Sequence, residues 1–186
     1  RFGGELFAKA VAKIMSAKGV KTFLAKGFVS TPMISLGTVA HKADAGIIIT
    51  ASHNPPSYNG FKLKGSYGGP MTPSKVQEIE DIIAERSSVN LDEFSIDDLI
   101  KKGSVQIIDL EGEYIKAVEA NFDLNAIRNS GLNLAYDAMF GSGQNVIKRL
   151  FPEITMLHCD DNPGFHGQAP EPIHKNLLEF SELIKK

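Results

Sequence analysis

The apolar positions of this chain follow two rhythms that alternate along its length. From Gly4 to Lys18 they recur at three- and four-residue spacing, through Leu6, Phe7, Ala10, Val11, Ile14 and Met15, which predicts an amphipathic helix with Gly19 as its stop. Val20 to Ala25 reads as a short strand. Ser30-Thr31-Pro32 sets a capping residue before a proline at the first helical turn, so a second helix is expected to start there. Ala45 to Thr50, with three consecutive isoleucines, predicts a strand buried on both faces. A loop rich in Ser, Asn and Pro follows from Ala51 to Gly60. Then come a short strand from Phe61 to Lys64, a turn from Ser66 to Pro70, and a helix opening at Thr72-Pro73 and running to about Arg86.

Between Asn90 and Gly103 the apolar density falls, and a short acidic helix with flanking turns is expected. The pattern then restarts: strand Val105 to Ile108, helix Glu113 to Phe122, strand Leu132 to Tyr136, a glycine loop, helix Gln144 to Phe151, strand Ile154 to His158, a long loop, and helix Lys175 to Lys185. Strands alternating with helices predict an α/β fold with partly parallel pairing. The thin stretch suggests two domains, residues 1–104 and 105–186, the second with few strands and read as incomplete.

Composition narrows the function classes. Of 186 residues, 42% are hydrophobic and 23% charged, ordinary values for a packed globular protein rather than a disordered one. The net charge of −2 and the lack of any basic block speak against nucleic acid as partner, because phosphate backbones are bound by clustered Lys and Arg. Lys101-Lys102 and Lys185-Lys186 read as solvated ends. The longest apolar run, Ala45 to Ala51, is too short to span a bilayer, so no membrane partner is expected. No signal peptide is visible, an absence without weight in a chain that opens on Arg1 rather than Met. Cys159 is the single cysteine, which excludes a disulfide framework and reads as a small hydrophobe in a cytoplasmic protein.

Two patterns suggest ligands and fail on inspection. Gly141-Ser142-Gly143 lies between a strand and a helix with Asp160 further on, but the third glycine of a dinucleotide fingerprint is missing, Val146 standing there by strict spacing. His158, Cys159, Asp160, Asp161, His166 and His174 show no pair at zinc-ligand spacing.

The loop Thr50-Ala51-Ser52-His53-Asn54-Pro55-Pro56 is different in kind. It follows a buried strand, and ligands of open α/β sheets bind beyond the carboxyl ends of strands. Asn59-Gly60 then turns the chain into a strand on which Phe61 and Leu63 should face one side and Lys62 and Lys64 the other. Two readings stand at this level: a Pro-rich surface turn beside a solvated lysine strand, or a serine loop served by lysine charge. Ser-His adjacency does not by itself make a catalytic dyad. A serine hydrolase would also need a Gly-x-Ser-x-Gly elbow, which is absent.

Taken whole, Thr50 to Lys62 closely resembles the phosphoserine signature of the α-D-phosphohexomutase superfamily, which includes phosphoglucomutases and phosphomannomutases. The resemblance runs on: Arg1 to Met15 is similar to the family's conserved arginine and first helix, and Ser30-Thr31-Pro32 to its Thr-Pro before the second helix. Ala135 to Gly143 resembles the Asp-Pro-Met-x-Gly-x-Gly loop of its second domain, with Ala138 in place of proline, a change expected to alter only a turn. Asn162-Pro163 and Pro170-Glu171-Pro172 resemble a later loop of that domain. The implied fold is the family's domain I, a mixed and partly parallel sheet between helices and here without its N-terminal strand, followed by part of a similar domain II.

The resemblance implies that Ser52 carries the transferable phosphate, that Lys62 is a general acid/base, and that His53 is a second proton-transfer candidate. It implies hexose phosphate and hexose 1,6-bisphosphate as partners and Mg²⁺ as cofactor, with a phospho-Ser52 oxygen as one metal ligand. The family's Asp-Gly-Asp-x-Asp-Arg metal loop does not occur here, and Asp160-Asp161 lacks its pattern, so the chain is read as a mutase fragment expected to be inactive alone. Thr50-Ala51 leans toward glucose and mannose enzymes. The alternatives are a phosphoglucosamine mutase or a non-catalytic binding fragment.

Overall fold

The computed structural model describes residues 1–85 and 88–185. It divides into two compact units, each built from separated stretches of chain: residues 3–49 with 61–110, and residues 1–2 with 50–60 and 111–186. No helix among the described residues is long and apolar enough to cross a membrane.

In the 3–49 and 61–110 unit, α1 (Gly4–Ala17) ends where the stop residue was expected, with Gly19 at φ 78°. Its amphipathic stripe is only half buried, because Leu6 is 69% and Phe7 48% exposed while Ala12 is fully covered. β1 (Thr22–Ala25) pairs in parallel with β4 (Val105–Ile108), and α4 (Ile96–Lys101) packs beside them. Ala12, Leu99 and Val105 form the centre of this core, ringed by Leu24, Phe94, Ile96 and Ile100. Ala12 faces this core while Leu6 and Phe7 lie outside it.

Ser30 starts α2 (Thr31–Ala40) from an extended backbone at φ −82° and ψ 162°, and its N–H donates to Met33 Sδ at 3.4 Å. Pro32 sits in the first turn, where its missing N–H costs nothing. β2 (Ala45–Ile49) runs antiparallel to β3 (Phe61–Gly65), with Ile48 opposite Lys62 and Gly46 opposite Lys64. Gly46 and Ile48 are buried, while Ile47 and Ile49 are half-buried; the strand is covered on one face rather than both as expected. α3 runs only from Pro73 to Glu80. It buries no residue, and Ile82 and Ile83 beyond it are exposed, so no packing carries the helix onward. The expected end at Arg86 lies outside the described residues.

The other unit holds α5 (Leu110–Asn121, beginning one residue before the division), α6 (Leu124–Arg128), β5 (Ala135–Asp137), α7 (Gln144–Leu150), β6 (Thr155–Leu157) and α8 (Leu178–Ile184). β5 and β6 pair in parallel. α6 is an element the apolar pattern does not announce. Asp123 caps it by accepting from Ala126 N–H at 2.9 Å, and Arg128 ties its end to the Leu150 carbonyl at 2.7 Å. The expected last helix is divided into a 3₁₀ turn, His174–Asn176, and α8, and Lys186 lies outside the described residues. Parallel and antiparallel pairing coexist, so the α/β class with partly parallel strands holds.

Candidate active site

The predicted serine loop, residues 50–60, is closed at its base by the Thr50 N–H donating to the Gly60 carbonyl at 2.9 Å. Ala51 is buried and anchors the first turn, its carbonyl accepting both the backbone N–H and the side-chain amide of Asn54 at 3.0 and 2.9 Å. Ser52 and His53 are exposed. The Ser52 backbone lies in the left-handed region at φ 52°, uncommon for a residue with a Cβ and a conformation that clusters at functional sites. Its N–H donates to Thr50 Oγ1 at 3.1 Å, and its Oγ is 3.3 Å from His53 Nδ1. Adjacent residues rarely meet this way; here the local backbone twist allows it.

Arg1 meets the same loop through four backbone carbonyls. Nη1 donates to Pro55 O at 2.9 Å and Tyr58 O at 3.0 Å, and Nη2 to Ser52 O at 2.6 Å and Asn54 O at 2.9 Å. The guanidinium also lies 5.0 Å from the Phe165 ring centroid, a cation–π distance, and Phe165 is buried. Partial burial draws the Arg1 guanidinium down from its ordinary pKa. Asn59 Nδ2 donates to Phe2 O at 3.0 Å, fastening the other end of the loop to the same terminal segment.

The third predicted site residue, Lys62, belongs to the other unit, where it is exposed on β3. Lys62 and Lys64 share a face of the strand as alternation requires, but they do not share an environment: Lys64 is 8% exposed and Phe61 54%. The expected contrast of an apolar face and a solvated lysine face is therefore corrected. Lys64 lies across the ladder from Gly46, where the lack of a side chain leaves room for its stem.

Gly60 shows how tightly the loop is closed. A Cβ on it would fall 2.6 Å from the Thr50 carbonyl oxygen, a backbone atom that cannot rotate aside. Gly60→Ala should destabilise the whole protein by about 1–3 kcal/mol, the usual cost of overpacking. A denaturant midpoint unchanged from wild type would show that the loop base has slack.

Of the residues suspected as a loose metal cluster, His158 has other partners. Its Nδ1 lies 2.9 Å from Asp137 Oδ1 and its Nε2 3.4 Å from Glu179 Oε2. Asp137 Oδ1 also accepts the Met139 N–H at 2.8 Å, which shapes the turn that Ala138 begins. Burial pushes the Cys159 thiol up, away from the reactive thiolate. Asp160 and Asp161 are exposed neighbours, and among the described residues no group of three His, Cys, Asp or Glu could hold a metal ion.

The site is thus an exposed serine on left-handed backbone in a loop braced by one guanidinium, set in an α/β scaffold. Comparison with known proteins makes this specific. The phosphoglucomutase/phosphomannomutase α/β/α domain I matches residues 1–90, and domain II of the same family matches residues 112–186. The chain belongs to the phosphoglucomutase/phosphomannomutase family. It is 31% identical over 161 residues to a phosphoglucosamine mutase of Methanococcus vannielii, covering 86% of this chain and 34% of that protein. A phosphoglucomutase of Neisseria meningitidis serogroup B is 33% identical over 164 residues, covering 86% and 33%. The crystal structure of a Thermus thermophilus protein described as a phosphomannomutase superposes with a TM-score of 0.86 at 33% identity, over 99% of this chain and 41% of that one. The chain thus spans about a third to two fifths of the length of these relatives.

Proposed function

We propose that this chain is the serine-bearing part of a phosphohexomutase, an enzyme that moves phosphate between the 1- and 6-positions of a hexose. The observation that carries the reading is the Ser52 loop: a signature-like sequence, an exposed hydroxyl on left-handed backbone, and His53 within 3.3 Å of it. In the proposed reaction phospho-Ser52 meets a hexose monophosphate. The bond from phosphorus to Ser52 Oγ breaks as a bond from phosphorus to a sugar hydroxyl oxygen forms, and the hydroxyl proton passes to a base. The hexose 1,6-bisphosphate turns over and returns its other phosphoryl group to Ser52 Oγ, restoring the enzyme. Lys62 and His53 are the proposed proton carriers. A phosphoserine brings about −1.5 to −2 charges, which nearby cations must offset. Phosphoryl transfer asks a protein mainly for positioning and charge neutralisation.

The relatives carry glucosamine and glucose names at similar identity, 31% and 33%, and the proposed substrate is accordingly a hexose phosphate without a choice among sugars. Mg²⁺ belongs to the proposal for the whole enzyme, where it would neutralise charge on the transferred phosphate. The described residues of this chain do not fit a Mg²⁺ centre of their own, since they bring together no set of carboxylates. A single unpaired cysteine accords with a cytoplasmic setting.

The test is peptide mapping of the whole protein by mass spectrometry after incubation with glucose 1,6-bisphosphate. Phosphate is expected on Ser52. Phosphate found reproducibly on another serine of active enzyme, with Ser52 bare, overturns the reading.

A further inference from the structure

His158 follows β6 directly, on left-handed backbone at φ 49°, and each of its ring nitrogens meets a carboxylate. Asp137, the last residue of β5, sets Oδ1 2.9 Å from Nδ1, and Glu179 of α8 sets Oε2 3.4 Å from Nε2. The Asp137 side chain is 3% exposed, and its Oδ1 also accepts the Met139 N–H, so this carboxylate is held in one orientation. A carboxylate only accepts, which places the hydrogen of the neutral imidazole on Nδ1 and turns the Nε2 lone pair toward a second acceptor. Two acceptors facing each other need a positive group between them. A proton there would draw the pair to about 2.7–2.9 Å, the usual length of a charge-assisted hydrogen bond. The observed 3.4 Å is longer. It matches the edge of a tetrahedral metal shell: bonds of about 2.0–2.2 Å to nitrogen and oxygen at the tetrahedral angle set the two ligand atoms about 3.4 Å apart. The buried carboxylate behind the imidazole completes a carboxylate–histidine–metal arrangement. Asp137 Oδ2 is buried without a partner, and a cation on Nε2 would strengthen the Nδ1–H donor facing this under-satisfied carboxylate.

We propose that His158 Nε2 and Glu179 Oε2 bind a divalent transition-metal ion, with Asp137 as the positioning residue behind the imidazole. The site goes beyond the mutase reading, and neither Ser52 nor Lys62 takes part in it. Imidazole nitrogen suits zinc-like ions, whereas Mg²⁺ favours oxygen ligands, so the pair discriminates against the ion proposed for phosphoryl transfer. Among the described residues no third His, Cys, Asp or Glu completes a metal-holding group, so water fills the other positions and the ion exchanges readily. Glu179 is exposed and His158 partly so, which lets the ion enter from solvent. Its effect falls on α8, a helix that buries no residue of its own: the ion ties it to the segment after β6.

The experiment strips the whole protein with a chelator and titrates it with Zn²⁺ in the presence of excess Mg²⁺. Calorimetry reads the binding, and amide hydrogen exchange reads its place in the chain. Zn²⁺ is expected to slow exchange in α8 saturably, while Mg²⁺ alone leaves it unchanged. His158→Gln and Glu179→Ala should each abolish the Zn²⁺-dependent protection of α8. Asp137→Asn should weaken Zn²⁺ binding roughly 10–100-fold, the cost of losing the partner that orients a ligating histidine. His166→Gln and His174→Gln should leave both readouts as in wild type. Should Asp137→Asn fail to fold, Glu179→Ala still decides, because Glu179 is exposed and its removal opens no cavity. Protection of α8 that survives His158→Gln or Glu179→Ala overturns the proposal, and so does its loss in His166→Gln or His174→Gln, which would place the ion elsewhere. Equal exchange of α8 in the stripped and Zn²⁺-loaded protein also overturns it, since a proton rather than a metal ion then holds the pair.

Discussion

Incubated alone with Mg²⁺ and a hexose 1-phosphate, the 186-residue chain is expected to yield no hexose 6-phosphate. The proposed reaction needs a sugar phosphate held in line with the phosphoserine, and its charge offset at the moment of transfer. Orientation of reactants is worth about 7–11 kcal/mol in ideal cases, several orders of magnitude in rate. The described residues offer no set of metal-holding carboxylates, and the chain spans only 33–41% of relatives that are named as mutases or described as one. Asp160 and Asp161 do not fill the gap, being exposed neighbours without a third partner. The measurement is a coupled assay on the purified chain, loaded beforehand with glucose 1,6-bisphosphate. Turnover within tenfold of an intact relative would show that metal and substrate sites do lie within these residues.

The second large effect is expected at Lys62. In the whole protein Lys62→Met should lower kcat by roughly 10²–10⁴, the contribution of a positioned acid or base, with KM little changed. The structure makes this substitution informative. Lys62 is exposed on β3, opposite Ile48, so methionine removes an ammonium without opening a cavity. Stability should stay within about 0.5 kcal/mol of wild type, as for most surface changes. Lys64 is the contrasting control: its side chain is buried, and Lys64→Met should register in the melting temperature as well. Turnover near wild type in Lys62→Met would reduce Lys62 to a solvated strand residue. A collapse of stability would mean that its role is packing.

Much of the candidate site was legible because it is contiguous. Ser52, His53 and the Asn-Pro-Pro run lie in one segment, and a buried apolar strand before them and an Asn-Gly turn after them mark its limits. The Ser-His approach was not legible. It depends on the left-handed φ at Ser52, a conformation that sequence does not announce for a non-glycine residue. Arg1 could be matched to a family motif, but its four acceptors are backbone oxygens, which no residue type signals. The Asp137–His158 pair joins positions 21 apart, brought together by the parallel ladder of β5 and β6. Here the loose His, Cys and Asp grouping read from the sequence gave way to a carboxylate–histidine contact it had not included.

By itself the sequence determined most of the alternation of helices and strands, the mixed α/β class and the limits of the candidate serine loop, since these follow from local periodicity, capping residues and turn formers. Tertiary structure decided which apolar residues are covered. Ala12 lies at the centre of a core while Leu6 and Phe7 of the same helix are exposed, because burial depends on what packs against a face and not on its hydrophobicity alone. It also decided that Lys64 is buried opposite Gly46 of β2, that α3 stops at Glu80 for want of packing, and that a single guanidinium gathers the serine loop. Each of these is a contact between segments distant in sequence or a lack of one, and local propensity carries no information about either.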